Sequence, residues 1–220
     1  PFMTQFLEKE AGILAFNYLD QSFENFDAII ATGSNNSARY FKHYFGKYPH
    51  IIRKNRNGVA VLNGKETRKD LEGLGNDILQ YFGLGCRNVS KIYIPVSYDI
   101  NFIFGGLYSH SKVIENVKYA NNYDYNKAIY LMSEYDFLEN GFFMIKEDKE
   151  FSAPISCLYI EYYSNELELK ENLENNKESI QCIVSNIQIE GKINFGSSQK
   201  PELWNYADDI DTLLFLNNLR

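Results

Sequence analysis

Cysteine, histidine and proline are scarce in this 220-residue sequence, which contains three Cys, three His and five Pro. Three cysteines without paired spacing argue against a disulfide framework and are typical of a reducing compartment. The histidines, His43, His50 and His110, show no metal-ligand spacing with each other or with cysteine, so we predict no metal site. No apolar run approaches the roughly 18 residues that a membrane span requires. We therefore expect a cytoplasmic protein without stable membrane insertion.

Positive charge is also limited, because 22 Lys and Arg stand against 29 Asp and Glu, for a formal net charge of −7. Binding to nucleic-acid phosphates needs a basic face, so we predict no nucleic-acid partner. Hydrophobic residues make up 45% of the chain, including 17 Tyr and 16 Phe. This composition indicates a globular protein, and the length allows one large domain or two small ones.

The order of apolar patterns predicts alternating strands and helices. A β-rich run at 27–31 precedes a Gly/Ser/Asn turn and a helical stretch at 37–45. A strand at 59–62 is followed by a helix at 67–82, with Thr67 as its N-cap and glycines at its end. A further strand at 91–96 carries Pro95, which indicates an edge or a strand end. Such alternation predicts an α/β layered fold.

Cys86 differs from the other two cysteines in its neighbours. Cys157 and Cys182 lie in apolar, strand-like runs and are predicted to pack in the core. Cys86 follows two glycines and precedes Arg87, a setting that gives a nucleophilic thiol access, N–H donors and a nearby cation. The preceding helix opposes this role, because its C-terminal dipole places negative charge near the sulfur. Cys86 is therefore either a nucleophile or an inert loop thiol.

The turn "ATGSNNS" is a second candidate, because Gly33 and Ser34 precede a helix N-terminus that can bind a pyrophosphate. The alternative is an ordinary strand-to-helix loop with a serine or asparagine as N-cap. The turn lacks the full GxGxxG spacing, so both interpretations stay open. The basic stretch "IIRKNRNG" is likewise either a phosphate-binding surface or a solvated face.

Five stretches in this order resemble one family: "IIATGSNNSARYF", "NGVAVLNGKE", "YFGLGCRNVSKIYIP", "EDKEFSAPISCLY" and "INFGSSQKPELW". They are similar to the later two thirds of bacterial acyl-CoA reductases of the Lux type, a branch of the aldehyde dehydrogenase superfamily. The resemblance implies an α/β, aldehyde-dehydrogenase-like fold. Residues 1–57 would end a partial Rossmann-like cofactor domain, 58–198 would form the α/β catalytic domain, and 199–220 a C-terminal arm anchored by Trp204 and Phe215.

The resemblance also implies roles for individual residues. It implies that Cys86 is the catalytic nucleophile and that Gly33 and Ser34 contact the cofactor pyrophosphate. It also implies that Glu150 contacts the nicotinamide ribose and that Phe195 lies at the acyl pocket. Beside the thiol, we expect Arg87 to contact the substrate. Hydrolytic members of the superfamily carry a water-activating glutamate several dozen residues before the cysteine. Here the corresponding stretch, "HIIRKNRNG", contains no carboxylate, and an acyl enzyme without such a base favours exchange with a thiol over hydrolysis.

We therefore predict reduction of a fatty acyl-CoA, or of an acylated donor protein, to the aldehyde through an acyl-cysteine, with NADPH or NADH as cofactor. The alternatives are an NAD-dependent aldehyde dehydrogenase and a non-catalytic α/β binding or assembly module. The family's long N-terminal part does not precede Pro1 in this sequence. We accordingly expect a truncated piece with little or no activity by itself, and a homodimer in the intact protein.

Overall fold

The computed structural model describes residues 2–12, 16–17 and 25–219, which form two compact units. The first unit contains the described residues up to Arg53 together with 215–219. The second unit is Lys54–Leu214. The domain limits at residues 57 and 198 stay predictions.

The first unit contains a β-α-β motif. After helix α1 (Phe2–Ala11), strand β1 (Ile29–Thr32) leads into helix α2 (Asn35–Phe45) and strand β2 (His50–Arg53). The two strands pair in parallel, as a crossover helix requires. The predicted strand and helix are present here, each beginning two residues away from its predicted start.

The second unit is built on a six-stranded sheet in the order β5-β6-β7-β4-β3-β8. Neighbouring strands are parallel except β5, which is antiparallel to β6 at one edge. The strands are β3 (Asn57–Val61), β4 (Val89–Pro95), β5 (Phe137–Glu139), β6 (Met144–Glu147), β7 (Cys157–Tyr163) and β8 (Ile180–Ser185). The helices are α3 (Arg68–Leu79), α4 (Asn101–Leu107), α5 (Val117–Met132) and α6 (Glu166–Asn175), and α7 (Thr212–Asn217) follows near the chain end.

Both faces of this sheet are buried, and successive residues of a strand enter different core clusters. On β3, Ala60 packs in the cluster that contains α3 and α4 residues, while Val59 and Val61 pack with α6 residues. Side chains that alternate between the two faces in this way, with a period of two residues, are typical of an extended strand. Burial on both faces is typical of parallel sheets. The predicted α/β fold class is confirmed.

Helix α3 begins as predicted and ends earlier than predicted. Thr67 is the N-cap, and its side chain and that of Asp70 form a reciprocal capping box. The helix stops at Leu79, because the C-cap Gln80 has a non-helical ψ of 138°. Tyr81 and Phe82 then adopt positive φ angles of 55° and 60°. The predicted helix end at residue 82 is therefore wrong by three residues.

Two further expectations have different outcomes. Pro95 is the last residue of β4, so it marks a strand end, although β4 lies inside the sheet. Trp204 does not anchor the C-terminal segment, because its side chain is 71% exposed. Among the described residues, no helix combines the length and apolarity needed to cross a membrane.

Candidate active site

Cys86 lies on a turn between the end of α3 and the start of β4, at the N-terminal edge of the parallel sheet. Its thiol is exposed, whereas Cys157 on β7 and Cys182 on β8 are buried. The predicted packing role of those two cysteines is confirmed. Cys86 is thus presented to solvent by the loop that feeds a central strand.

Asn88 connects this turn to the end of α3. Its side chain is 2% exposed, and Nδ2 donates to the carbonyl oxygens of Asp77, Ile78 and Gln80 at 3.0, 3.2 and 2.9 Å. Its Oδ1 accepts the backbone N–H of Gly85 at 2.8 Å. The carbonyls that end α3 are therefore engaged by one amide group. Asn88 was not predicted as a site residue from the sequence, although an asparagine in a glycine-containing turn commonly forms hydrogen bonds to the backbone through its side chain.

Arg87 is held on the other side of Cys86. Its Nε donates to the carbonyl oxygen of Ser198. The carboxylate of Asp77, which is 1% exposed, accepts the backbone N–H groups of Gly196 and Ser198 at 2.6 and 2.9 Å. Burial raises the pKa of Asp77, and these hydrogen bonds act in the opposite direction. The segment 196–198 is thereby joined to both α3 and the cysteine loop.

Phe195 precedes this segment and packs, partly buried, against the core cluster formed with α3 and α4. Its backbone lies against α3, since a Cβ built on Gly73 would stand 3.0 Å from the carbonyl carbon of Phe195. The structure therefore places Phe195 on the α3 side of the sheet, in the same unit as Cys86.

Lys91 on β4 holds the segment that carries Glu150. Its fully buried ammonium donates to the carbonyl oxygens of Asp148 and Lys149 at 3.1 and 2.7 Å. It also pairs with the Glu161 carboxylate at 2.6 Å. A buried ammonium requires such partners, and here they bind a loop to the middle of the sheet.

The segment 148–151, which carries Glu150, also contacts the start of β4. Ser90 Oγ donates to the carbonyl oxygen of Phe151, and the neighbouring Glu150 side chain is exposed. Cys86 lies four residues before Ser90. The second unit thus attaches the loops of Cys86 and Glu150 to the same end of one strand.

A cavity of about 480 Å³ lies beside Arg87 in the second unit. Its walls come from α6, the start of β8 and the segments around 188–193 and 205–209. Four cationic residues line it: Arg56, Arg87, Lys170 and Lys177. Cys182 also lines it, with its Sγ 3.7 Å from the carbonyl oxygen of Arg87. Burial raises the pKa of Cys182 to about 11, so this thiol is neutral at physiological pH.

Gly33 and Ser34 belong to the first unit. Ser34 Oγ accepts the backbone N–H of Ser37 at 3.1 Å, so Ser34 is the N-cap of α2. A Cβ on Gly33 would stand 2.7 Å from Ser37 Cβ, so this tight turn requires glycine. The first two residues of α2, Asn35 and Asn36, are exposed, and its first turn carries no acidic residue. An exposed helix N-terminus of this kind fits an anionic group such as a pyrophosphate.

No group of three or more His, Cys, Asp or Glu side chains that could hold a metal ion occurs in residues 2–12, 16–17 and 25–219.

Solved structures with a similar fold include aldehyde dehydrogenases. Aldehyde dehydrogenase 21 from Physcomitrella patens, in complex with succinate, matches 77% of this chain and 41% of its own, with a TM-score of 0.54 and 13% identity. The indole-3-acetaldehyde dehydrogenase AldA of P. syringae, in complex with NAD+, matches 76% of this chain and 41% of its own, with a TM-score of 0.50 and 9% identity. A bifunctional proline utilization A protein matches 72% of this chain and 20% of its own, with a TM-score of 0.51 and 12% identity.

No protein-family model matches the sequence, and the search of curated proteins gave no match. The structural likeness shows that the chain has an aldehyde-dehydrogenase-like α/β fold, as the resemblance implied. The chain spans between 20% and 41% of the length of these three solved structures.

Proposed function

We propose that this chain belongs to an oxidoreductase that reduces a fatty acyl thioester to an aldehyde, with Cys86 as the covalent nucleophile. The acyl donor is a fatty acyl-CoA or an acylated protein, and the cofactor is NADPH or NADH. The observation that carries the proposal is the exposed Cys86 thiol, presented on a loop whose flanking residues are both held by side-chain hydrogen bonds.

The first chemical step is acyl transfer. The Cys86 thiol loses its proton, and Sγ attacks the carbonyl carbon of the thioester. The bond to the leaving sulfur breaks, the donor thiolate takes up a proton, and the acyl group stays on Cys86. Arg87 directly follows Cys86 in the chain and its side chain is fixed through Nε, so we assign it to contact the substrate thioester.

Residues of each unit, taken by itself, are proposed for contacts with a nicotinamide cofactor. Gly33 and Ser34, at the exposed start of α2, would hold the pyrophosphate, and Glu150 would hold the nicotinamide ribose. When bound, the reduced cofactor supplies the hydride that converts the acyl group into the aldehyde. We also infer a cytoplasmic homodimer that binds neither nucleic acid nor membranes.

Acyl transfer can be tested by incubating the longest natural form of this protein with a fatty acyl-CoA and analysing its peptides by mass spectrometry. We expect one acyl group on the Cys86 peptide, labile to neutral hydroxylamine, with an equal amount of free CoA. Cys86→Ala should lose the adduct, and Cys182→Ala should retain it. An unlabelled Cys86 peptide in the native protein, or an undiminished adduct in Cys86→Ala, would refute the proposal.

A further inference from the structure

We propose that Asn88 and Asp77 position the Cys86 loop for reaction, with Asn88 offsetting the charge of the α3 C-terminus and Asp77 orienting Arg87. This inference rests on Cys86 being the reactive group of the proposed function. Neither residue contacts the sulfur in the described structure, so both act through neighbouring groups.

Asn88 reduces the unfavourable electrostatic effect that the C-terminus of α3 has on a thiolate at Cys86. The last carbonyls of a helix lack intrahelical partners and carry partial negative charge, which disfavours a nearby thiolate. Asn88 Nδ2 lies within 3.2 Å of three of these carbonyl oxygens, and its positive hydrogens point at them. The amide therefore compensates the helix end at the point where the chain turns toward Cys86.

The same side chain also determines where Cys86 stands. Its Oδ1 accepts from the N–H of Gly85, the residue directly before Cys86. A Cβ on Gly85 would lie 2.9 Å from this oxygen, so the glycine permits the contact. Asn88 thus closes the turn around Cys86 while its amide nitrogen remains bound to α3.

Asp77 acts on the opposite side, through Ser198. Its two carboxylate oxygens bind the N–H groups of Gly196 and Ser198, which fixes the Ser198 carbonyl. That carbonyl accepts from Arg87 Nε. Because Asp77 is on α3, the helix sets the direction of the side chain of Arg87, the residue that directly follows Cys86.

The rate at which iodoacetamide alkylates Cys86, measured against pH on the folded chain, separates positioning from a purely structural role. In Asn88→Ala we expect the rate near neutral pH to fall about five- to tenfold and the pH profile to move to higher pH, since the helix end loses its compensating amide. Asn88→Asp keeps the acceptor for Gly85 but loses the donors, so it should slow alkylation at least as much. Urea melts establish that each variant is folded at the assay temperature.

Asn126→Ala is the matched control. Asn126 is also a buried asparagine, 7% exposed, whose Nδ2 donates to a loop carbonyl, that of Ile155, at 2.9 Å. This substitution should lower stability without changing the alkylation of Cys86. If Asn88→Ala alkylates at the native rate, or if Asn126→Ala slows the reaction equally, Asn88 is only a structural residue and the proposal is wrong.

A double-mutant cycle tests Asp77. Asp77→Asn and Arg87→Met should each slow alkylation, and the double variant should be no slower than Arg87→Met, because Asp77 acts through Arg87. Independent, multiplicative effects would overturn this role. Alkylation that responds as expected in a protein that takes no acyl group from acyl-CoA would refute the proposed function and leave the positioning roles in place.

Discussion

Replacing Lys91 by methionine should lower the free energy of unfolding by about 3 kcal/mol and release the segment 148–151 from the sheet. The ammonium is fully buried and has three oxygen partners: the carbonyls of Asp148 and Lys149 and the carboxylate of Glu161. Methionine keeps most of the apolar stem and removes only the charge and the donors.

The change in the free energy of unfolding depends on which charged group each substitution leaves without its partner. Removing one partner of a buried ion pair costs about 3–5 kcal/mol, because the other charge stays uncompensated. The Glu161 side chain is 25% exposed and stays partly hydrated, which puts Lys91→Met at the lower end of that range. Glu161→Leu leaves a fully buried ammonium without its counter-ion and should cost more. In the double variant both charges are removed, so its cost should be smaller than the sum of the costs of Lys91→Met and Glu161→Leu. The two carbonyls that still lack a donor contribute about 1 kcal/mol or more each.

Urea unfolding followed by circular dichroism measures these costs, and hydrogen exchange of the amides at 148–151 reports the release of the segment. At about 2–4 °C per kcal/mol for a chain of this size, Lys91→Met should lower Tm by about 6–12 °C. Lys127→Met is the control, because the Lys127–Glu139 pair is 34% exposed on both sides and should change stability by less than about 1 kcal/mol. A cost below about 1 kcal/mol for Lys91→Met, or a milder effect of Glu161→Leu, would contradict the reasoning.

Four further outcomes are expected. In α4, Gly105→Ala should stabilise by up to about 1 kcal/mol, as judged by urea midpoints, because its Cβ meets open space. Gly106→Ala should destabilise by about 1–3 kcal/mol, since its Cβ would stand 2.6 Å from a backbone oxygen of α3. The hydrogen bond from the backbone N–H of the N-cap Thr67 is the main cause that lowers the pKa of Asp70. Asp70→Ala should therefore lower the free energy of unfolding by about 1 kcal/mol at neutral pH. Urea melts should show this cost shrinking as the pH falls below about 3.8, where the carboxylate becomes protonated. Peptide mapping after native alkylation near about pH 8 should find Cys86 modified alone, because burial raises the pKa of both other thiols to about 11.

Local patterns in the sequence predicted much of the fold. The capping box of Thr67 and Asp70 spans four residues, so its sequence signature is complete within about one helical turn. The burial of Cys157 and Cys182 follows from their apolar neighbours, and the exposure of Cys86 agrees with its glycine turn. The early end of α3 could not be predicted in this way, because the chain leaves the helix at Gln80 and adopts positive φ angles already at Tyr81 and Phe82, before the first glycine, Gly83.

The sequence by itself determined the α/β class, the strand and helix at 27–45 and the position of an exposed thiol between a helix and a strand, because each depends on neighbouring residues along the chain. Only the tertiary structure decided what holds that thiol in place. Asp77 meets Ser198 across 121 residues, and Lys91 meets Lys149 across 58. Such contacts depend on strand order and on the direction of buried side chains. No local periodicity encodes either one, so the groups that support the candidate site become visible only once the sheet is assembled.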